Sequence, residues 1–144
     1  RRGCLETYAG ASGFKRTAQE LLTERTTPSL LRRLSPEQMS AVHITEAARA
    51  GDAIALETFE RTANVLALKL ADAVAHTSPE AIFLFGGLTN AGELLLEPTR
   101  RWLEHHLLNV FKGTVRLLPS SLKNDAGILG AAALIWHHLN ASQG

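Results

Sequence analysis

One continuous apolar run, closed by two glycines, constrains the fold of this chain more than any other feature. Residues 81–85 read Ala-Ile-Phe-Leu-Phe, and Gly86 and Gly87 follow directly. A strand with one solvated face alternates apolar and polar residues, whereas a strand covered on both faces is apolar throughout. The run therefore predicts a central, parallel strand that is buried on both faces, and with it an α/β fold.

A second apolar segment, Val-Arg-Leu-Leu-Pro at 115–119, indicates the partner of this strand. The residues between them, about 91–110, predict a helix in which Pro98 either introduces a kink or lies near the first turn. A strand-helix-strand unit of this kind forms a right-handed crossover. Because two strands are fewer than a sheet normally has, we expect other polypeptide, or another copy of the chain, to complete the sheet.

Helices account for most of the remaining sequence. Residues 4–22 have helical composition, but Gly10 and Gly13 interrupt it, so two helices and one bent helix both remain open. The polar segment 23–40 predicts a connector with a short helix that begins at Ser35, because Ser-Pro-Glu supplies an N-cap, a first helical residue and a first-turn acid.

Three more helices are expected towards the carboxyl terminus. Thr45 is the predicted N-cap of a short helix that ends at Gly51, and Asp52 is the predicted N-cap of a long helix over 53–76. The apolar stripe of the long helix is wide, which predicts burial between layers. The last helix is expected at about 126–140.

Composition excludes several classes of protein. Of the 144 residues 45% are hydrophobic, which suits a domain with a real core, and 15 basic residues balance 14 acidic ones. This balance argues against nucleic acid or an anionic membrane as the partner of this segment. A single cysteine cannot form an intramolecular disulfide, and we find neither a signal peptide nor an apolar stretch long enough for a membrane span. We therefore expect a cytoplasmic protein.

The Gly86–Gly87 pair is a candidate ligand site. Ligands of open α/β sheets bind outside the carboxyl ends of the strands, and glycines there let the backbone approach a ligand closely. A plain turn would use the same residues, so the pair alone leaves both interpretations open.

Three segments together resemble the ROK family (repressors, open reading frames and sugar kinases). They are Gly3-Cys4-Leu5-Glu6 with the residues that follow, Leu84-Phe85-Gly86-Gly87-Leu88-Thr89-Asn90-Ala91-Gly92, and Lys123-Asn124-Asp125-Ala126-Gly127-Ile128-Leu129-Gly130. The chain looks like the C-terminal part of such a protein. The resemblance implies an actin-like ATPase (ribonuclease H-like) fold, helix-rich and with an incomplete parallel sheet. It divides the single region 1–144 into the end of a zinc and sugar motif (1–22), a helical region (23–80) and a strand-helix-strand-helix unit (81–144).

The resemblance also implies a role for particular residues. Cys4 matches the last ligand of the family's structural zinc, and Glu6 matches the glutamate that bonds sugar hydroxyls. The nucleotide-binding turn falls on Gly86, Gly87, Leu88, Thr89 and Asn90. The family's Asp-x-Gly-x-Thr phosphate motif and its general base have no counterpart here, so we assign no catalytic residue to this chain.

The resemblance implies that the chain is part of an ATP-dependent hexose kinase, with glucose as the expected sugar. Mg²⁺ and ATP are the implied cofactors, structural Zn²⁺ is implied for a full-length protein, and a homodimer is the implied assembly. The chain by itself is expected to be inactive. A sugar-sensing repressor of the same family, with its DNA-binding domain upstream, is the alternative.

Overall fold

The computed structural model describes residues 3–122 and 125–141. Six α-helices and two strands follow one another in these ranges. They are α1 (Glu6–Ala9), α2 (Ala11–Glu24), α3 (Ala41–Arg49), α4 (Ala53–Thr77), β1 (Ala81–Leu84), α5 (Glu93–His106), β2 (Arg116–Pro119) and α6 (Ala126–Ala141). Short 3₁₀ helices occur at Leu30–Arg33, Gly87–Ala91 and Asn109–Phe111.

The two strands form a parallel pair, as predicted, with Ala81 opposite Arg116 and Leu84 opposite Pro119. The prediction that both faces of β1 are buried was wrong for the chain as described. Phe83 is 61% exposed and the following Phe85 is 65% exposed. Among the residues described, α4 and α5 cover one face of the small sheet, and the other face of β1, with Phe83, is uncovered.

The long helix α4 connects two hydrophobic clusters. The first contains α2, α3 and the beginnings of α4 and α5, and in it the rings of Phe14 and Phe59 pack with their centroids 4.8 Å apart. The second contains the ends of α4 and α5 together with Leu117 of β2. The predicted burial of α4 between layers is therefore found on the side that faces the two clusters, whereas Leu56 and Leu68 are exposed.

Asp52 is the N-cap of α4, as predicted. Its carboxylate accepts a hydrogen bond from the backbone N–H of Ala55 at 3.1 Å. It also accepts bonds from the hydroxyl of Ser29 at 3.1 Å and from the N–H of Leu30 at 2.6 Å. One buried carboxylate thus fixes both the start of α4 and the connector before α3.

Other helix boundaries differ from the predictions. Helix α3 begins at Ala41, five residues before the predicted start, and Ser40 is its N-cap in place of Thr45. Thr45 lies inside the helix, where its hydroxyl donates to the carbonyl of Ala41. At Ser35 a turn replaces the predicted helix, and Ser35 and Gln38 bond each other's backbone N–H across it.

The helix after the glycine pair is shorter than predicted, because a 3₁₀ segment extends to Ala91 and α5 covers only Glu93–His106. Pro98 lies within α5 and is buried. No helix in the described ranges is long and apolar enough to cross a membrane.

Candidate functional site

The Gly86–Gly87 turn leaves the carboxyl end of β1 in a conformation that requires glycine. Gly86 has φ 112° and ψ 172°, a region that side-chain-bearing residues rarely adopt. Its carbonyl accepts from the backbone N–H of Thr89 at 3.1 Å and from the Thr89 hydroxyl at 2.6 Å. Both of these hydrogen bonds from Thr89 close the turn.

A cleft of about 200 Å³ lies between this turn and α3. The turn contributes Gly87, Leu88, Asn90 and Ala91. At Gly87 no described atom lies within 4 Å of the position that a Cβ would take, so the backbone faces open space. This is the geometry that lets a flat ligand lie directly on the main chain.

The opposite wall consists of α3 residues that the sequence analysis did not assign to a site. They are Ala41, Val42, Thr45, Glu46 and Arg49. Their spacing of i, i+4 and i+8 puts them on one face of the helix. The sequence contains that face, but it contains no signal that α3 packs beside a turn some forty residues later, because that is a long-range contact.

The five predicted nucleotide-binding residues therefore separate into two groups. Gly87, Leu88 and Asn90 line the cleft, whereas Gly86 and Thr89 are not among its lining residues and hold the turn in shape. Leu88 also packs against the first hydrophobic cluster, which anchors the turn to the core.

Glu6 is in the first turn of α1, where its carboxylate is exposed and lies over Gly10. A Cβ at Gly10 would be 2.7 Å from Oε1 of Glu6 and 2.6 Å from its carbonyl oxygen. Glycine at this position therefore leaves the space that the Glu6 side chain occupies. Within the described residues the carboxylate is not part of an ion pair, so it is available to accept hydrogen bonds from a ligand.

The first segment forms two helices that are separated at Gly10, whose backbone is extended, and Gly13 lets them pack closely. A Cβ at Gly13 would lie 2.4 Å from the carbonyl oxygen of Thr7, so α1 packs with its backbone directly against α2. Arg16 reinforces the contact, because its guanidinium donates to the Thr7 carbonyl at 2.7 Å and lies 5.5 Å from the centre of the Tyr8 ring. These contacts orient Glu6 relative to α2.

Cys4 precedes α1 and is an exposed free thiol. Neither it nor Glu6 lines the cleft at Gly87. In the part of the chain that the structure describes, no three His, Cys, Asp or Glu side chains come together in a way that would hold a metal ion. Cys4 alone offers one of the four ligands that structural zinc requires, so these residues do not themselves make up the implied zinc site.

Comparison with known proteins gives consistent results. The family model described as "ROK family" matches residues 1–138. A glucokinase from Thermotoga maritima is 38% identical over 136 residues, which cover 93% of this chain and 43% of that protein. The chain thus spans less than half the length of this curated relative.

Solved structures agree with the sequence match. The crystal structure of a ROK family glucokinase from Streptomyces griseus, in complex with glucose and AMPPNP, matches with a TM-score of 0.83 at 32% identity, over 93% of this chain and 45% of that one. A ROK family transcriptional regulator, a homologue of the E. coli MLC protein, matches with a TM-score of 0.71 at 23% identity, over 83% of this chain and 29% of that one. At that identity the second match shows the fold alone.

The predicted fold class is confirmed by these matches: the chain has the helix-rich C-terminal part of the actin-like ATPase fold of ROK sugar kinases, with a two-stranded parallel sheet. With a family match that extends over almost all of its residues, the chain belongs to the ROK family.

Proposed function

We propose that this chain provides the nucleoside-binding part of an ATP-dependent hexose kinase, with glucose as the first candidate substrate. The observation that carries the proposal is the cleft at the carboxyl end of β1, where Gly87 presents bare backbone. The identity to a glucokinase and the likeness to a glucokinase crystallised with glucose and AMPPNP support it. ATP would place its nucleoside in this cleft.

We propose that the contribution of this chain to phosphoryl transfer is to position the substrates. Phosphoryl transfer depends mainly on alignment and on neutralising the phosphate charge, which Mg²⁺ supplies when it is bound. The chain contains no Asp-x-Gly-x-Thr motif for the phosphates, and its described residues offer no cluster of carboxylates for the metal. We therefore assign no step of transfer to this chain and expect it to be inactive when isolated.

We assign the sugar contact to Glu6. A carboxylate suits vicinal hydroxyls because it accepts several hydrogen bonds and offers no competing donor. The exposed position of Glu6 over Gly10 supports this assignment, since an accessible acceptor is needed. Cys4, two residues earlier, is proposed as one zinc ligand in a longer protein that supplies the other three.

The proposed setting is a cytoplasmic homodimer. The uncovered aromatic face of β1 is an apolar surface that a second copy would bury. A sugar-sensing repressor is the alternative function. The cleft does not favour it, because a sugar sensor does not need a binding site for a nucleoside.

NMR titration of the isotope-labelled 144-residue chain with AMPPNP tests the proposal. We expect the backbone amides of Gly87, Leu88 and Asn90 to shift together and saturably. Glucose phosphorylation by the same sample is expected to stay at background. Absent shifts, or shifts confined to surfaces far from the cleft, would contradict the nucleoside assignment, and turnover by the purified chain would contradict its inactivity.

A further inference from the structure

Helix α1, which carries Glu6, has little of the support that usually holds a helix in place. It consists of the four residues Glu6–Ala9, and none of them is buried. Its N-cap, Leu5, contributes no side-chain hydrogen bond. A helix of one turn is not stable by itself, because nucleation fixes several residues for each hydrogen bond that it forms. The direction of Glu6 therefore depends on the contacts that α1 makes with the rest of the fold.

Arg16 of α2 supplies two of these contacts with one guanidinium group. Its Nη2 donates to the carbonyl of Thr7 at 2.7 Å, and its Cζ lies 5.5 Å from the centre of the Tyr8 ring, within the range of a cation–π interaction. A third contact orients the guanidinium, because its Nε lies 3.4 Å from Oε1 of Glu20, one turn further along α2. Arg16 thus holds the short helix by its backbone and by a side chain at the same time.

The Thr7 carbonyl is the point at which these contacts converge. A Cβ at Gly13 would lie 2.4 Å from its oxygen, the same atom that accepts the hydrogen bond from Arg16. The backbone of α2 and the guanidinium of Arg16 therefore both contact this carbonyl. Because Glu6 directly precedes Thr7 in the same helical turn, fixing the carbonyl also fixes the direction in which the Glu6 side chain leaves the helix.

We propose that Arg16 is a positioning residue for the sugar: it holds α1 against α2 so that the Glu6 carboxylate accepts hydrogen bonds from the hexose hydroxyls. This inference rests on the proposed function, in which Glu6 contacts the sugar. Arg16 itself does not touch the sugar, and its effect comes through Glu6. Such an effect is measurable, because a displacement of about 1 Å in an active site can cost about 100-fold in rate.

The kinetic test uses a full-length kinase that contains this chain. Arg16→Ala should raise the KM for glucose about tenfold and change the KM for ATP by less than about twofold, since Arg16 does not line the nucleoside cleft. Arg16→Lys keeps the charge but lacks the planar fork that makes both contacts, so it should give an intermediate KM for glucose.

A double-mutant cycle distinguishes positioning from a merely structural role. In a Glu6→Ala background, Arg16→Ala should have no further effect on the KM for glucose, because the residue through which it acts has been removed. Arg25→Ala is the matched control. It also removes a guanidinium with a charged hydrogen bond, to Glu57 at 3.0 Å, but at the opposite end of α2, so it should leave the KM for glucose unchanged.

Hydrogen exchange in the 144-residue chain gives a readout that does not depend on activity. The backbone amides of residues 8–10 donate to carbonyls of Leu5 and Glu6 at 2.8–3.0 Å. They should exchange about tenfold faster in Arg16→Ala than in wild type, since local opening of α1 becomes easier. Exchange that is equally fast in both proteins would show that Arg16 does not hold α1, and would overturn the inference.

The kinetic outcomes separate this inference from the proposed function. If Glu6→Ala leaves the KM for glucose unchanged, the sugar assignment is wrong and the role of Arg16 falls with it. If Glu6→Ala raises that KM but Arg16→Ala does not, only the positioning role is wrong. An increase from Arg16→Ala that is equally large in the Glu6→Ala background would also overturn it, because Arg16 would then act through another group.

Discussion

The two glycines of the cleft turn should respond differently to the same substitution, because their backbones differ. Gly86 has φ 112° and ψ 172°, a region that costs a residue with a Cβ about 1–3 kcal/mol. Gly87 is not in the positive-φ region, and no described atom lies within 4 Å of the position that a Cβ would take there. Replacing it with alanine should leave the free energy of unfolding unchanged or raise it by up to about 1 kcal/mol.

These free energies convert into measurable shifts in urea denaturation. With a slope of about 2 kcal/mol per molar urea, Gly86→Ala should lower the unfolding midpoint by about 0.5–1.5 M. Gly87→Ala should leave the midpoint in place or raise it slightly, yet weaken AMPPNP binding about 5- to 100-fold, since its methyl group enters the space that the ligand would occupy.

Gly113→Ala is the control for strain outside the cleft. Gly113 has φ 71° and is not among the residues that line the cleft, so its alanine variant should lower stability without changing nucleotide affinity. A Gly86→Ala variant as stable as wild type would refute the argument from backbone strain. Unchanged AMPPNP affinity in Gly87→Ala would refute the argument that this glycine keeps the cleft open.

Four other perturbations have defined expected outcomes. Asp52→Ala should lower the free energy of unfolding, measured in urea, by about 2–4 kcal/mol, because it removes the N-cap of α4 and leaves the Leu30 N–H unpaired. A loss below about 1 kcal/mol would contradict the interpretation that this carboxylate holds both the helix start and the connector. Glu57→Gln should lower the free energy of unfolding by at most about 1 kcal/mol at pH 7. Because the hydrogen bond from Arg25 lowers the pKa of Glu57, the difference from wild type should vanish as the pH falls through that lowered pKa. A difference that persists in acid would exclude the ion pair as its cause. In a full-length kinase that contains this chain, Glu6→Ala should raise the KM for glucose by about tenfold or more, and unchanged kinetics would remove Glu6 from the sugar site. Light scattering of the chain at micromolar concentration should give a dimer, and a well-folded monomer would contradict the proposed assembly.

Local signals in the sequence were sufficient to predict most elements of the fold. Asp52 after Gly51 indicated the start of α4, and the apolar run before Gly86 indicated β1 and its parallel pairing. Capping signals were less reliable where several polar residues compete. The predicted N-cap Thr45 lies inside α3, whose N-cap is Ser40, and the earlier start adds Ile44, which packs into the first hydrophobic cluster.

The candidate site was only half predictable, for a physical reason. The glycine turn has a local signature, since a buried strand followed by Gly-Gly is visible in any window of the sequence. The α3 wall has none, because Val42 and Glu46 reach the cleft only through the packing of α3 and α5 against α4. Side chains that recognise a ligand across a long-range contact are found from structure and not from spacing.

The chain leaves apolar side chains uncovered on α6 and on one face of the small sheet. In α6 every residue from 127 to 140 is exposed, including Trp136 at 69%, and Phe83 and Phe85 are exposed at β1. Helices that are apolar on all sides are buried in globular proteins, so α6 and the open sheet face have the character of contact surfaces. The chain covers 43% of the length of the Thermotoga maritima glucokinase, which leaves ample polypeptide in such a relative to cover them. None of these three aromatic residues lines the cleft between α3 and the glycine turn, so the surfaces available for assembly are separate from the one we assign to the nucleotide.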